Sequence, residues 1–372
     1  MAQVPGVRAV HLNNYFSAQY GYEPERYLAG NIIYKHTTPQ NEVRRIVVKH
    51  AVLPLGVLQG AAGRDDEIDT EEEFLRKLWG SEHNIRLLSI VRDQRHSGTK
   101  WRVPRHRRTQ NPPPILPWSL PIDPQAHGNL DFAFFVMEYL PRGTGSSLIE
   151  RCQALGIPAI SEALLWYFFL CLTRACVGML YPPNVSNRNP RASTREKLPA
   201  PGRRATALCH YDLHVENMMF GDYDSRDIQP PCHQVIDFGL AESDGSIGAA
   251  QAQNMLNVGE LMHQLARVEL DPVVDNRPMY RATGIPGHPD FYTYATASFC
   301  RSHNYSYEFK SLVALCMAAL PADRPVVEPV LRQCERHVAS IGNWRRLADE
   351  VSEIFDDLTP RDDDSSDDDY VP

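Results

Sequence analysis

The sequence predicts an α+β protein whose strands fall mainly before residue 140 and whose helices dominate the remainder of the chain. Three observations carry that prediction. Residues 26–50 alternate apolar and polar side chains in short β-branched runs, the period-two pattern of half-buried strands. Residues 162–179 and 329–355 repeat apolar side chains at three- and four-residue spacing, the pattern of a helix face. Two apolar stubs, Met218-Met-Phe220 and Gln234-Val-Ile236, stand on either side of a polar stretch as a strand-loop-strand unit requires.

In chain order, residues 1–25 read as an N-terminal extension. Arg26-Tyr-Leu-Ala, Ile32-Ile-Tyr-Lys and Arg45-Ile-Val-Val-Lys49 read as three short strands. The first two meet at Ala29-Gly30-Asn31, where Gly-Asn suits a two-residue hairpin turn with Gly supplying positive φ at the first central position. Asp69–Leu78 reads as a helix: Phe74, Leu75 and Leu78 share a face, and the acids sit early, where the helix dipole favours them. Asn84–Val91 reads as the next strand. From about 92 to 130 the composition turns to Arg, Pro, Gln and Gly, with too little to bury, which predicts a mobile insertion. It suits a solvated loop, or an electrostatic contact with a phosphorylated partner, nucleic acid or the acidic tail of the same chain. Asp131–Gly143 reads as an apolar strand ending in a linker. Ser161 is placed to cap a helix over Glu162–Met179, with Leu164, Leu165, Phe168, Leu172 and Cys176 at helical spacing. Residues 182–206 form a second insertion, rich in Pro, Asn and Arg, and residues 268–307 are poorly periodic. A last amphipathic helix is expected from about Pro329 to Phe355. The Asp- and Ser-rich residues 359–372 read as a disordered acidic tail in which Ser365 and Ser366 suit acidophilic phosphorylation.

The 372 residues accommodate one large two-lobed domain or two ordinary ones. The formal net charge of −8 is concentrated in Asp362–Asp364 and Asp367–Asp369, so the body demands neither nucleic acid nor membrane as a partner. The eight cysteines include no Cys-x-x-Cys pair, and Met-Ala-Gln-Val-Pro at the start lacks the regions of a signal peptide. That combination predicts reduced thiols and a cytoplasmic or nuclear location. The longest apolar run, Ala163–Leu172, is about half of the roughly 20 residues that span a bilayer, and reads as a buried helix.

The chemistry is carried by Leu208-Cys-His-Tyr-Asp-Leu-His-Val-Glu-Asn-Met-Met-Phe220 and Val235-Ile-Asp-Phe-Gly239. Asp212, then Asn217, then Asp237 opening Asp-Phe-Gly, supply a group to orient a hydroxyl and two hard oxygen ligands for Mg²⁺. This pattern resembles the catalytic and metal-binding loops of the eukaryotic protein-kinase family. The resemblance extends over roughly residues 26–340. It implies a small β-rich lobe of five strands and a helix over 26–140, a larger helical lobe over 141–358, and a cleft between them for ATP and Mg²⁺. On that match Asp212 accepts the substrate hydroxyl proton, while Asn217 and Asp237 hold Mg²⁺. Lys49 binds the α- and β-phosphates, and Glu71 is its partner, with Glu72 and Glu73 as alternatives. Met137 stands beside adenine, the Glu138 carbonyl and the backbone of Tyr139 or Leu140 meet the adenine edge, and His214 is a weaker γ-phosphate contact than the family's lysine. Asn254-Met-Leu-Asn-Val-Gly259 resembles the family's helix F, with Asn254 accepting hydrogen bonds from the catalytic-loop backbone without charge assistance. Leu312–Pro325 resembles its penultimate helix and closing Asp-Arg-Pro.

The chain also departs from the family. The glycine loop is reduced to a turn, Tyr211 replaces the arginine before Asp212, and Ala-Pro-Glu is missing together with the peptide-docking segment that precedes helix F. Arg324, whose usual partner is the missing glutamate, is left as a solvated cap residue or a partner for Glu242. Three functions are compatible with this pattern: a divergent kinase transferring the ATP γ-phosphate to a protein Ser or Thr, a pseudokinase that binds nucleotide or scaffolds partners, and a small-molecule phosphotransferase. The last would be of the aminoglycoside or choline kinase type, whose His-Gly-Asp-Leu-His loop His210–His214 is similar to.

Overall fold

The computed structural model describes residues 7–28, 30–39, 41–50, 65–91, 134–183, 194–222, 230–243, 245–270, 280–283, 285, 287–342 and 344–355. The insertion at 92–130, residues 184–193 of the second insertion, the acidic tail at 359–372, and with them any contact between insertion and tail, lie outside the described residues.

The chain is mixed α+β. Strands β1 (Glu23–Leu28), β2 (Asn31–Thr37), β3 (Val43–His50), β4 (Leu87–Val91) and β5 (Phe134–Glu138) form an antiparallel sheet in the order β1-β2-β3-β5-β4. Leu28 pairs with Asn31, and Gly30 has φ 73°, so Gly30 takes the second central position of the first hairpin and not the first. The difference arises because Asn31 is drawn into the β2–β3 ladder opposite Lys49, which moves the turn back by one residue.

Period-two alternation then sorts the side chains to two faces. Ile32, Tyr34, Ile46, Val48, Phe134 and Val136 are buried on one face. Val47, Phe135 and Met137 pack on the other, against Phe74, Leu75 and Leu78 at and just beyond α2 (Asp65–Lys77). The first face is covered by α1 (Val7–Tyr20), so residues 7–20 are part of the folded body and not an extension to it. Ala9, Leu12, Tyr15 and Phe16 recur at helical spacing and are buried there; the Phe16 ring lies 4.8 Å from Tyr34 and 5.9 Å from Phe134. Asn13 closes the contact, accepting from the Tyr34 hydroxyl and donating to that of Tyr27.

The rest is mainly helical. After α3 (Gly145–Ala154), α4 (Glu162–Leu180) runs through the main core, and Ser161 accepts from the Leu164 N–H as its cap. α4 is the one described helix long and apolar enough to cross a bilayer, and it is buried among other elements. A short ribbon of β6 (Met218–Phe220) and β7 (His233–Val235) precedes α5 (Ile247–Arg267). Within 268–307 lie a second ribbon, β8 (Tyr280–Ala282) with β9 (Phe291–Thr293), and α6 (Ala297–Arg301). α7 (Tyr307–Cys316) starts at Ser306, whose N–H and hydroxyl both donate to Glu162 at the start of α4. α5 approaches the end of α7 so closely that a Cβ on Gly259 would sit 2.7 Å from Met317 Cγ and 2.8 Å from Cys316 Cβ.

The expected single helix over Pro329–Phe355 is two, α8 (Val327–Ser340) and α9 (Trp344–Phe355). The break falls at Ile341-Gly342, where glycine leaves the helix at little cost and the chain can fold back. Phe355 thereby packs on Phe168 and Phe220, its carbonyl accepting from Arg142.

Phe16→Ala removes the ring that seals α1 to the sheet. It should destabilise the protein by about 3–5 kcal/mol, read as a fall in the urea midpoint without loss of secondary structure at low denaturant.

Candidate active site

The sheet register aims Lys49. It pairs across to Asn31 and Phe135, so its side chain shares the face of Val47 and points towards α2. A slip of one residue would turn it to the α1 side. On α2, Glu71 is buried to 1% exposure, and its Oε2 lies 2.7 Å from Lys49 Nζ. The two neighbouring acids are used locally: Glu72 pairs with Arg76 at 2.6 Å and Glu73 with Lys77 at 2.8 Å, both one turn along the helix. Of the three acids, Glu71 is therefore the partner of Lys49.

A third group converges from the far end of the chain. Lys49 Nζ is 2.8 Å from Asp237 Oδ1. Burial alone would lower the lysine pKa, but the two carboxylates outweigh it and hold the ammonium charged. Burial alone would likewise raise Asp237, yet the lysine charge, its hydrogen bond and the Gly239 N–H bring it below the usual range. Glu71 is pushed up by burial, more than Lys49 compensates. One ammonium thus serves two carboxylates, and Glu71 Oε1 is buried without a hydrogen bond.

The ribbon β6–β7 brings the remaining groups together. Met218 pairs with Val235, so Asn217, just before β6, lies beside the residues leaving β7, and the Ile236 N–H donates to the Asn217 carbonyl at 3.0 Å. Asn217 Nδ2 donates to the Asp212 carbonyl at 2.8 Å and to Asp212 Oδ2 at 3.1 Å. Its Oδ1 makes no hydrogen bond among the described residues and remains a hard donor for a cation. His214 accepts the Glu216 N–H on Nδ1, and its Nε2 lies 3.1 Å from Asn217 Nδ2 and 3.6 Å from Asp212 Oδ1.

The loop is held from beneath by His210. Its Nε2–H donates to the Ile236 carbonyl, its Nδ1 accepts from the Asp212 N–H, and its ring lies 4.6 Å from that of Phe238. Burial pulls its pKa down to about 4, so it is a neutral brace. Asn254 of α5 accepts from the His210 N–H at 3.1 Å and donates to the Leu208 carbonyl at 3.0 Å, so it uses both ends of its amide. Tyr211 (φ 61°) and Asp237 (φ 62°) both adopt left-handed backbone, which few non-glycine residues do. Strain of this kind persists where surrounding contacts over-determine the geometry.

Met137 is buried at the end of β5 on the α2 side. The Glu138 carboxylate accepts from the Arg86 N–H and guanidinium, a pair not anticipated from the sequence because the two residues are remote in the chain. Tyr139 and Leu140 lie beyond the end of β5, so sheet pairing does not consume their backbone groups. Arg324 does not meet Glu242. It caps the end of α7, donating to the Ala318 and Ala319 carbonyls and to that of Ala252, while Glu242 is held by a backbone pair with Cys209 at 2.8 and 2.9 Å. Only Phe238–Ser246 separates Asp237 from the start of α5, which Ser246 caps.

Mg²⁺ fits this donor set: Asn217 Oδ1 and the Asp237 carboxylate are hard oxygens, and the local excess of negative charge favours a cation. No protein-family model matches the chain, and no curated protein matches it.

Asn254→Ala should leave the buried His210 N–H and Leu208 carbonyl unpaired and cost about 1–3 kcal/mol, measured by chemical denaturation. The depressed His210 pKa also sets a pH trend. Unfolded, the imidazole gains a proton below about 6.5, whereas folded it resists protonation until about pH 4. Stability should therefore fall as pH drops through that window, by up to about 1.4 kcal/mol per unit from this residue. His210→Gln should show a shallower loss between pH 7 and 5 in urea midpoints.

Proposed function

We propose that the chain is a divergent, protein kinase-like phosphotransferase that uses Mg²⁺ and ATP. The observation that carries this reading is the convergence of Lys49 on Glu71 and Asp237, with Asp212 and Asn217 hydrogen-bonded beside them. On this reading the five-stranded sheet with α2 is the small lobe, the helical part is the large lobe, and Tyr139–Leu140 is the linker at the adenine edge.

Lys49 binds the α- and β-phosphates and is itself held in place by Glu71. Asn217 Oδ1 and Asp237 hold Mg²⁺, which neutralises charge on the phosphate oxygens. Asp212 orients the acceptor hydroxyl. As the hydroxyl oxygen bonds to the γ-phosphorus, its proton passes to an Asp212 oxygen and ADP leaves. Most of the acceleration in this class comes from positioning, so a site whose glycine lid is reduced to a two-residue turn retains slow turnover.

The acceptor is a protein Ser or Thr on the protein-kinase likeness. The short Phe238–Ser246 segment, pinned by the Cys209–Glu242 backbone pair, favours a second reading, transfer to a small alcohol or aminoglycoside, because it leaves little chain to dock a peptide. A pseudokinase would bind nucleotide without transfer.

Mg²⁺-ATP should raise the thermal midpoint, since a ligand at a hundred times its Kd adds about 2.7 kcal/mol. Labelled ATP should be turned over by wild type and not by Asp212→Asn. An absent shift, with or without Mg²⁺, removes the phosphotransferase reading; binding with no turnover leaves the pseudokinase, and equal turnover by both proteins marks a contaminant. Protein and small-molecule acceptors offered side by side decide between the two transfer reactions.

A further inference from the structure

Where the loop after α2 meets α4 and the start of β7, the side chains form a buried polar cluster. A ring nitrogen of His83 and the sulfurs of Cys171 and Cys232 all lie within 4.8 Å of one another. Around a tetrahedral Zn²⁺, with Zn–S near 2.3 Å and Zn–N near 2.0 Å, ligand atoms stand roughly 3.5–3.8 Å apart. Small side-chain adjustments bring the three to that spacing.

Two further observations favour a metal over an ordinary hydrogen-bonded cluster. His83 Nδ1 is engaged by the Glu196 carboxylate, which leaves Nε2 for the sulfurs; a carboxylate on the far nitrogen is the support that metal-bound histidines ordinarily have. Glu196 is itself fixed by the His83 N–H and the Ser81 hydroxyl. His233, next to Cys232, is fully buried against the Phe168 and Phe220 rings with neither ring nitrogen hydrogen-bonded, a costly unsatisfied polar group beside the cluster. It interacts electrostatically with both Cys171 and His83.

We propose that His83, Cys171 and Cys232 supply three ligands of a structural Zn²⁺ site. Each thiol loses its proton to solvent on binding, and the two thiolates balance the charge of the ion. The mixed nitrogen and sulfur donor set selects Zn²⁺ over Mg²⁺ or Ca²⁺. The site clasps the α2–β4 loop to α4. At the same point the Ile85 N–H donates to the Val235 carbonyl and the Val235 N–H to the His83 carbonyl, so the ion holds the segment that follows Glu71 and its helix against the helical core.

The full chain, purified under reducing conditions without added chelator, should carry about one Zn²⁺ per molecule. A strong chelator should lower its thermal midpoint, and Zn²⁺ should restore it. Co²⁺ added to the stripped protein should give a thiolate-to-cobalt charge-transfer band, which needs no variant and so does not depend on a mutant folding. Cys171→Ser and Cys232→Ser should each weaken the band, and Cys300→Ser, a thiol elsewhere, should leave it intact. A folded wild-type chain that holds no Zn²⁺ and gives no cobalt band overturns the proposal, as does a native Cys171–Cys232 disulfide found by mass.

Discussion

A single half-buried ammonium ties together three segments of this molecule. Lys49 on its strand sits within hydrogen-bonding distance of Glu71 on a helix and Asp237 on a loop, three segments far apart in the chain. Glu71, buried to 1% exposure, depends on that charge for its partner, while Asp237 is partly open to solvent. The sheet register, the position of α2 and the path of the chain after β7 are therefore mutually dependent. Two carboxylates share this one ammonium, and burial pushes one of them, Glu71, towards its neutral form.

The loop opposite is built on a different principle. Neutral groups brace it from below. His210 is uncharged and hydrogen-bonded on both ring nitrogens, Phe238 packs on its ring, and Asn254 spends an uncharged amide on two backbone groups. Charge is kept for the side of the loop where Asp212, Asn217 and His214 gather. Left-handed backbone at Tyr211 and Asp237 shows that this geometry is imposed by the surroundings. The surrounding chain is economical: a two-residue turn joins β1 to β2, and a short segment joins Asp237 to α5.

Legibility in the sequence tracks the range of the interaction. The β3 run ending at Lys49, the acids of α2, and the Asp212, Asn217 and Asp237 pattern are local, and each is readable where it stands. Helix α1 carries its signal in Ala9, Leu12 and Phe16, but a polar remainder masks the spacing, since only one stripe is buried. The split between α8 and α9 turns on Gly342, a residue that permits a break without requiring one.

Residue types and periodicities were thus set by the amino-acid order alone: an α+β chain, a buried α4, and the polar side chains Lys49, Asp212, Asn217 and Asp237. Partner choice was not. Which of three adjacent acids meets Lys49, that Arg86 serves Glu138, that Arg324 turns to carbonyls, and that His83, Cys171 and Cys232 gather all came from the folded packing. A pattern repeating every two or four residues is written in neighbouring positions, whereas the partner of a charge is chosen by which distant segment desolvates it, and that depends on how the whole chain packs.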